Sequence, residues 1–381
     1  MSGTSPDSPQ PAPVVTVIVP ARNEEVCLGS CLASLVERRQ IAEDVGSQPV
    51  PFEIIVVDDH STDRTREIAA SFPGVRVIEA GPLPQGWTGK NNAVAAGARE
   101  ARGEWLLFTD ADTVHLPGSL ARSLAEAKRQ NAVMLSYSPE QMVETFWEKA
   151  VMPVVFAELA SHYRPSDVND PNSPAAAANG QYILIRRDVY DAIGGHAAVS
   201  GELLEDLALA RKLKQARQRI FFRYGGDAVR TRMYRGYTQL RDGWTRSLKI
   251  VFPRPRWLAV KVLWAWLLSW AALLCGVLLF LRSPSVLTAL AALVFALPLA
   301  RLYVHIHRAH FDVDCELLAM TVGLPMFVYF LFRSASAHRR NAVGWKGRQY
   351  AGYEATQLDW QASRATQPSV GTENRELITK N

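Results

Sequence analysis

From residue 262 to 281 the chain runs 20 residues without a charge. A helix of that length crosses about 30 Å of hydrocarbon. Two more uncharged stretches follow, 18 residues at 283–300 and 16 at 317–332. Trp257, Trp264, Trp266, Trp270, Tyr303 and Tyr329 suit the interfacial belts of a membrane protein. Three such stretches exceed what a soluble core of this size needs, so they predict membrane helices. Arg254, Arg256 and Lys261 precede the first stretch, and Arg333, Arg339, Arg340, Lys346 and Arg348 follow the third. Both flanks are therefore expected in the cytoplasm. Three crossings cannot achieve that, and the short third stretch is the candidate for the one that does not span.

The rest of the chain reads differently. With 48% hydrophobic and 21% charged residues, disorder is not its dominant state. Four cysteines in 381 residues do not make a disulfide scaffold. The apolar runs 14–19, 52–57, 75–78, 105–109 and 132–135 lack alternation, as strands buried on both faces do. Between the first two, Leu28, Cys31, Leu32, Leu35 and Val36 form one apolar helix stripe. Strand, helix, strand, helix is the order of an α/β fold, a mostly parallel sheet with helices on both faces. Cys27 and Cys31 lie with that stripe and read as core. Residues 1–13 carry no basic or apolar leader segment and read as a short disordered lead.

Polar clusters sit just past these strands. Pro20-Ala21-Arg22-Asn23-Glu24 follows the first, Asp58-Asp59-His60-Ser61 the second, and Asp110-Ala111-Asp112 the fourth. In an open parallel sheet the carboxyl ends of the strands form the ligand crevice. In extended backbone Asp110 and Asp112 point to one side. Two such carboxylates suit Mg2+ or Mn2+, which keep open positions for phosphate oxygens. Glu205-Asp206 opens a helical pattern, where the dipole and free N–H groups favour an ionised carboxylate, and an ionised carboxylate can take a proton from a hydroxyl. No phosphate-binding P-loop, dinucleotide fingerprint or nucleophile elbow competes. No nucleic-acid partner is expected. His305, His307, His310, Asp312 and Asp314 lie between two apolar stretches and read as an interfacial loop.

Taken together, Val17-Ile-Val-Pro20-Ala-Arg-Asn-Glu-Glu25, Val56-Val-Asp-Asp-His-Ser61, Gly86-Trp-Thr-Gly-Lys90, Thr109-Asp-Ala-Asp112 and Glu205-Asp206 resemble the family-2 glycosyltransferases of the GT-A fold. The likeness covers about residues 14–250. Asn179-Gly180-Gln181-Tyr182, Ile193-Gly-Gly-His196 and 343–348 are similar to membrane-bound bacterial members that glycosylate lipids, of the hopanoid-associated and carotenoid types. The resemblance implies that Pro20, Ala21 and Glu24 line a nucleoside pocket, that Asp58 or Asp59 contacts base or ribose, and that Lys90 approaches the phosphates. It also implies that Asp110 and Asp112 hold metal and sugar nucleotide, and that Asp206, with Glu205 beside it, is the general base. His196, Arg241, Trp244 and Arg246 are candidates for acceptor or phosphate contacts.

Where processive synthases carry QxxRW, this chain has Gln239 and Trp244 at another spacing. That favours single transfer over polymer extrusion. Transfer to polyprenyl phosphate would need no base, so Glu205-Asp206 argues against it. A catalytically inactive membrane scaffold would be expected to have lost these carboxylates. Residues 141–163 look amphipathic, suited to the membrane interface or to covering the sheet, and 166–174 form a polar loop. The expectation is a glycosyltransferase domain at 14–250, membrane helices at 257–332 and a basic then polar cytoplasmic tail at 333–381. It would be a multi-pass protein of the bacterial cell membrane with a cytoplasmic catalytic domain. A nucleotide-sugar donor, taken as a UDP-sugar, and a membrane lipid acceptor in the bilayer would be its partners.

Overall fold

The computed structural model of the chain describes residues 12–41, 50–340, 344–345 and 348–349. Most of the sequence-expected lead and tail lies outside the described residues.

Chain order runs β1 (Val15–Ala21), α1 (Leu28–Ile41), β2 (Phe52–Asp58), α2 (Thr65–Ala70), β3 (Val75–Glu79), α3 (Gly89–Glu100), β4 (Trp105–Phe108), β5 (Thr113–His115) and α4 (Ser119–Arg129). Next come β6 (Met134–Ser138), β7 (Glu140–Gln141), α5 (Phe146–His162), α6 (Pro165–Asn169), β8 (Ile183–Arg186), α7 (Arg187–Ala192) and α8 (Glu205–Gln215). The last elements are β9 (Ile220–Tyr224), β10 (Val229–Thr231), α9 (Tyr237–Val251), α10 (Pro255–Arg282), α11 (Val286–His307), α12 (Val313–Leu318) and, after a π-turn at Ala319–Gly323, α13 (Leu324–Arg339).

The central sheet has seven strands in the order β3-β2-β1-β4-β8-β6-β9. All neighbours are parallel except β8, which runs antiparallel to β4 and β6. Period-two alternation divides β1 between two cores. Val15, Val17 and Val19 face α1 and α4, while Ile18 faces α3 and α8. Both faces are thus covered, as the unbroken apolar runs require. The α/β expectation holds, with one antiparallel strand added. β8 and β9 escaped the sequence reading because a resemblance motif and a charged flank obscured them. The chain leaves β1 toward β2 on one side and returns to β4 on the other. The switch point of the sheet therefore lies between β1 and β4, where an open α/β sheet takes its ligand.

A third core joins α5 and α9 to the C-terminal helices. α10, α11 and the segment Val313–Arg339 are each long and apolar enough to cross a membrane. Their burial separates them: 17% of the apolar stretch of α10, none of α11 and 56% of the third segment lies inside the molecule. Leu268, Leu281 and Leu287 of the α10–α11 hairpin are 60%, 66% and 77% exposed. Each such side chain forgoes about 1.5–3 kcal/mol in water, and a handful would offset a domain's ~5–15 kcal/mol of stability. A hydrocarbon environment removes that cost. α10 and α11 cross closely at Gly276, where a Cβ would lie 2.9 Å from Phe295 Cβ, the small-residue contact of membrane helix pairs.

The third segment packs against α5, α9 and α10. At Gly323 a Cβ would stand 1.9 Å from the Ala150 carbonyl oxygen of α5, so only glycine admits this backbone-to-backbone approach. The Trp266 indole donates to the Met320 carbonyl at 2.8 Å, inside the π-turn where the regular ladder is broken. α13 is also tied to α9. Lys249 N donates to Ser334 Oγ at 2.9 Å, Arg333 Nε to Thr245 Oγ1 at 3.0 Å, and the His338 ring meets the Arg246 carbonyl at 2.8 Å. Within residues 141–163, α5 thus runs as a largely buried helix between the sheet domain and the C-terminal helices.

Candidate active site

The loops after β1 and β2 are stitched together. Asn23, at φ 52°, accepts from Thr62 N through its side chain at 2.8 Å, and Glu24 N donates to Thr65 Oγ1 at 2.7 Å. Asp63 serves both loops, accepting from Glu25 N at 3.1 Å and from Thr65 N at 3.0 Å. The Asp110-Ala111-Asp112 segment is a turn, not the extended backbone expected from sequence. Thr113 N closes it onto the Asp110 carbonyl at 3.2 Å, and Ala111 faces the core. Asp110 and Asp112 still line the same cleft. Behind that turn Thr109 Oγ1 donates to the Gln181 carbonyl at 2.9 Å, so it accepts from His115 Nε2–H at 3.1 Å. Burial pulls His115 down to about 3, so the ring is neutral. This pins the β4 turn to the 179–181 loop.

A cleft of about 840 Å3 opens at these strand ends. On its floor Lys90, in the first turn of α3, places its ammonium 2.8 Å from Asp110 Oδ1 and 2.7 Å from Glu205 Oε1. Gly180 underlies the group: a Cβ there would lie 3.0 Å from Lys90 Nζ, 3.2 Å from Glu205 Oε1 and 3.5 Å from Asp206 Oδ2. Asp206, at the start of α8, accepts from Gly180 N at 2.8 Å and from Leu207 N at 2.7 Å.

Electrostatics at this cluster depart from the sequence expectation. Burial and the neighbouring Glu205 push Asp206 up to about 7, outweighing Lys90 and the two backbone N–H groups that favour its charge. The helix terminus alone does not decide its protonation. Burial pulls the Lys90 ammonium down, but Asp110 and Glu205 outweigh it, so its pKa lies well above the usual lysine value and it stays charged.

Of the residues singled out in sequence, Pro20, Ala21, Glu24, Asp59, Lys90, Asp110, Asp112, Glu205, Asp206 and Arg246 line the cleft. Four others do not. Asp58 is buried behind it, accepting from Ser61 N at 3.1 Å. His196 is 2% exposed, packed edge-on to Phe108 and bonded to the Tyr190 hydroxyl at 2.9 Å. Burial and Lys90 drop it to about 3, so it is a neutral core histidine. Trp244 is 4% exposed between Phe156 and Tyr234 and has no face open for stacking on an acceptor. Arg241 pairs with Asp242 at 2.7 Å, outside the cleft. Among the described residues no group of three or more His, Cys, Asp or Glu is arranged to hold a metal ion, and the His305–Asp314 segment makes none. Two hard carboxylates still fit an ion of the Mg2+ class, which takes one or two protein oxygens and completes its shell with water and phosphate.

The opposite wall was missed in sequence. Arg232, Tyr234 and Arg235 follow the three-residue β10, and Thr238 and Gln239 open α9. Arg232 grips the buried Glu148 of α5 through Nε at 3.1 Å and Nη2 at 3.2 Å. A strand that short has no legible periodicity, so nothing in the sequence marked Arg232, Tyr234 or Arg235, and Gln239 was noted only for its spacing from Trp244.

The Glycosyl transferase family 2 model matches residues 16–194. The chain is 28% identical over 347 residues to a 4,4'-diaponeurosporenoate glycosyltransferase of Staphylococcus aureus, covering 88% of each chain. Among solved structures it is similar to S. aureus TarS 1-349 in complex with UDP-GlcNAc, with 16% identity and a TM-score of 0.41 over 86% of this chain and 91% of that one. Against another TarS structure it spans about half, 54%, of that chain. It is also similar to the mannosyltransferase PcManGT from Pyrobaculum calidifontis in complex with GDP-Man and Mn2+, with 18% identity, a TM-score of 0.41 and 88% of each chain covered. The strand-end motifs lie within or just beyond the stretch that this model matches, so residues 16–194 carry a family 2 glycosyltransferase domain, and three apolar helices follow it in the chain.

Proposed function

We propose that the chain is a membrane-anchored, inverting glycosyltransferase that moves a sugar from a nucleotide-sugar, taken as a UDP-sugar, to a lipid hydroxyl. The cluster of Lys90, Asp110, Glu205 and Asp206 around Gly180 carries the reading. It places a cation, a metal-type carboxylate and a carboxylate poised near neutral pH on one floor. A base is most effective with its pKa near the working pH, and Asp206 at about 7 meets that condition. Asp206 would take the acceptor hydroxyl proton while the oxygen attacks the anomeric carbon from the face opposite the leaving diphosphate. Glu205 would hold Lys90 and keep the Asp206 pKa high. Asp110 and Asp112 would hold Mg2+ or Mn2+, which when bound offsets charge on the diphosphate leaving group.

The architecture supports a lipid acceptor. α9 supplies one wall of the cleft and is bolted to α13 by three hydrogen bonds, which sets the cleft beside the apolar helices. Two crossings by α10 and α11, with the third segment docked on the catalytic domain, would return both basic flanks to the cytoplasm.

The test is nucleoside diphosphate release from a panel of sugar nucleotides by detergent-solubilised protein with membrane lipid extract. Release should need lipid, stop with chelator and fall at least 100-fold in Asp206→Asn. Full activity in Asp206→Asn would mean an acceptor that arrives already ionised. Lipid-independent release would remove the lipid acceptor.

A further inference from the structure

A second cavity of about 600 Å3 lies away from the cleft and shares no lining residue with it. It is an open hollow bordered by the end of α5, the first two turns of α10, the last two turns of α11, and Arg164 and Phe252 beside them. Four cations border it: Arg164, Lys261, Arg301 and Arg308. Among the described residues none of the four forms an ion pair with a carboxylate. The single carboxylate in the lining, Glu158, is engaged by His305 Nε2 at 3.0 Å. All four are exposed, so their charges face the opening and are available to an anion.

Position narrows the ligand. Lys261 opens one apolar helix and Arg301 and Arg308 close its antiparallel neighbour, so the cavity sits where both helices leave the hydrocarbon. Leu258, Val304 and Phe252 give it an apolar side. A free anion has no use for that side. A molecule with a phosphate head and an acyl tail uses both, and basic pockets between membrane helices take such head groups.

We propose that this cavity is a binding site for the phosphate head group of an anionic membrane phospholipid, separate from donor and acceptor. The phosphate would lie among Arg301, Arg308 and Lys261, with its glycerol and chains along Leu258 and Val304. The inference rests on the bilayer reading of α10 and α11. A bound lipid would fix α5, α10 and α11 to one another and so set the height of the catalytic domain above the membrane.

Native mass spectrometry of the full chain in detergent, titrated with phosphatidylglycerol or phosphatidylcholine, tests the site. Phosphatidylglycerol should be retained about tenfold better, and each cation removed should cost roughly fivefold in retention. Arg301→Gln with Arg308→Gln should abolish the preference, and Arg301→Lys with Arg308→Lys should keep most of it. Arg256→Gln, an exposed cation at the same level but outside the cavity, should change nothing. If the double glutamine variant misfolds, Lys261→Gln alone should still show the fivefold loss. Equal retention of both lipids, or a glutamine variant that binds like the parent, overturns the proposal. Displacement of phosphatidylglycerol by millimolar inorganic phosphate also overturns it, in favour of a soluble ligand. Flotation of the parent with phosphatidylcholine vesicles tests membrane embedding separately, so failure of the lipid site is distinguishable from failure of the bilayer reading.

Discussion

The α10–α11 hairpin and the segment Val313–Arg339 look alike as strings of residues and behave differently in the fold. Helices of 28 and 22 residues make the hairpin, which turns its side chains outward; the third segment, 27 residues, is more than half buried. What separates them is how densely each is engaged: the third segment has the Gly323 approach to Ala150, the Met320 carbonyl that accepts from Trp266 and three ties to α9, whereas the hairpin's polar contacts sit at single points such as Trp266 and His305. Apolar content decides that a helix leaves water. Whether it enters lipid or docks on protein is decided by a few specific contacts.

Substitution at the two close-approach glycines breaks this contrast most severely. Gly323→Val must displace α5, because the new Cβ falls inside the Ala150 carbonyl. We expect loss of folded protein, read as absence of a monodisperse peak after solubilisation. Gly276→Val lies in the hairpin, where the neighbours are Phe295 and Ala292. The hairpin can splay in lipid, so this variant should fold and keep its activity within a fewfold. Equal damage at both positions would mean that the hairpin is as tightly docked as the third segment.

The proposed catalytic cluster of Lys90, Asp110, Glu205 and Asp206 is carried by the sheet domain, so its titration should be the same in detergent and in bilayer. With Asp206 at about 7 instead of the ordinary 3.8, kcat/KM should fall about tenfold per pH unit below 7 and level off above it. Lys90→Met leaves three carboxylates without their cation. It should lower activity by ~10²–10³ and move the limb to higher pH. Glu205→Gln removes a charge that raises Asp206, so the limb should move to lower pH. Stability follows the same sign. A raised folded pKa favours the protonated fold below 3.8, and that contribution is lost as pH rises through about 7. Asp206→Asn should therefore melt a few degrees above the parent at pH 8, with the gap closing as pH falls below 7.

The sheet was legible because strands buried on both faces must be continuously apolar, and the runs opening at Val15, Phe52 and Trp105 obey that rule. The strand-end carboxylates were legible because topology sends the ends of β1, β2 and β4 to one rim. The far wall was not. Arg232 and Tyr234 reach the cleft through a small sheet of two- and three-residue strands, whose position depends on Gln181 and Thr231 bonding across 50 positions of sequence at 3.1 Å. Trp244 and His196 misled for the opposite reason. An aromatic and an imidazole next to charged residues suggest ligand contacts, yet tertiary packing buries both rings.

The smallest effect probes the same boundary between the docked helix and the outward-facing hairpin. Ser334→Ala removes the acceptor for Lys249 N, one bond between α13 and α9. A bond of this kind contributes about 0.5–1.5 kcal/mol, or a few degrees of melting temperature. Ser334 is fully buried, so water cannot replace it. Leu287→Ala deletes a larger apolar group, but one that is 77% exposed and touches little protein. In detergent its melting temperature should stay within a degree of the parent. Because α9 carries Thr238, Gln239 and Arg246 on the cleft wall, Ser334→Ala should also raise KM for the acceptor about twofold at constant kcat, while Leu287→Ala leaves both unchanged. A larger effect at Leu287 than at Ser334 would reverse the proposed assignment of docked and lipid-facing helices.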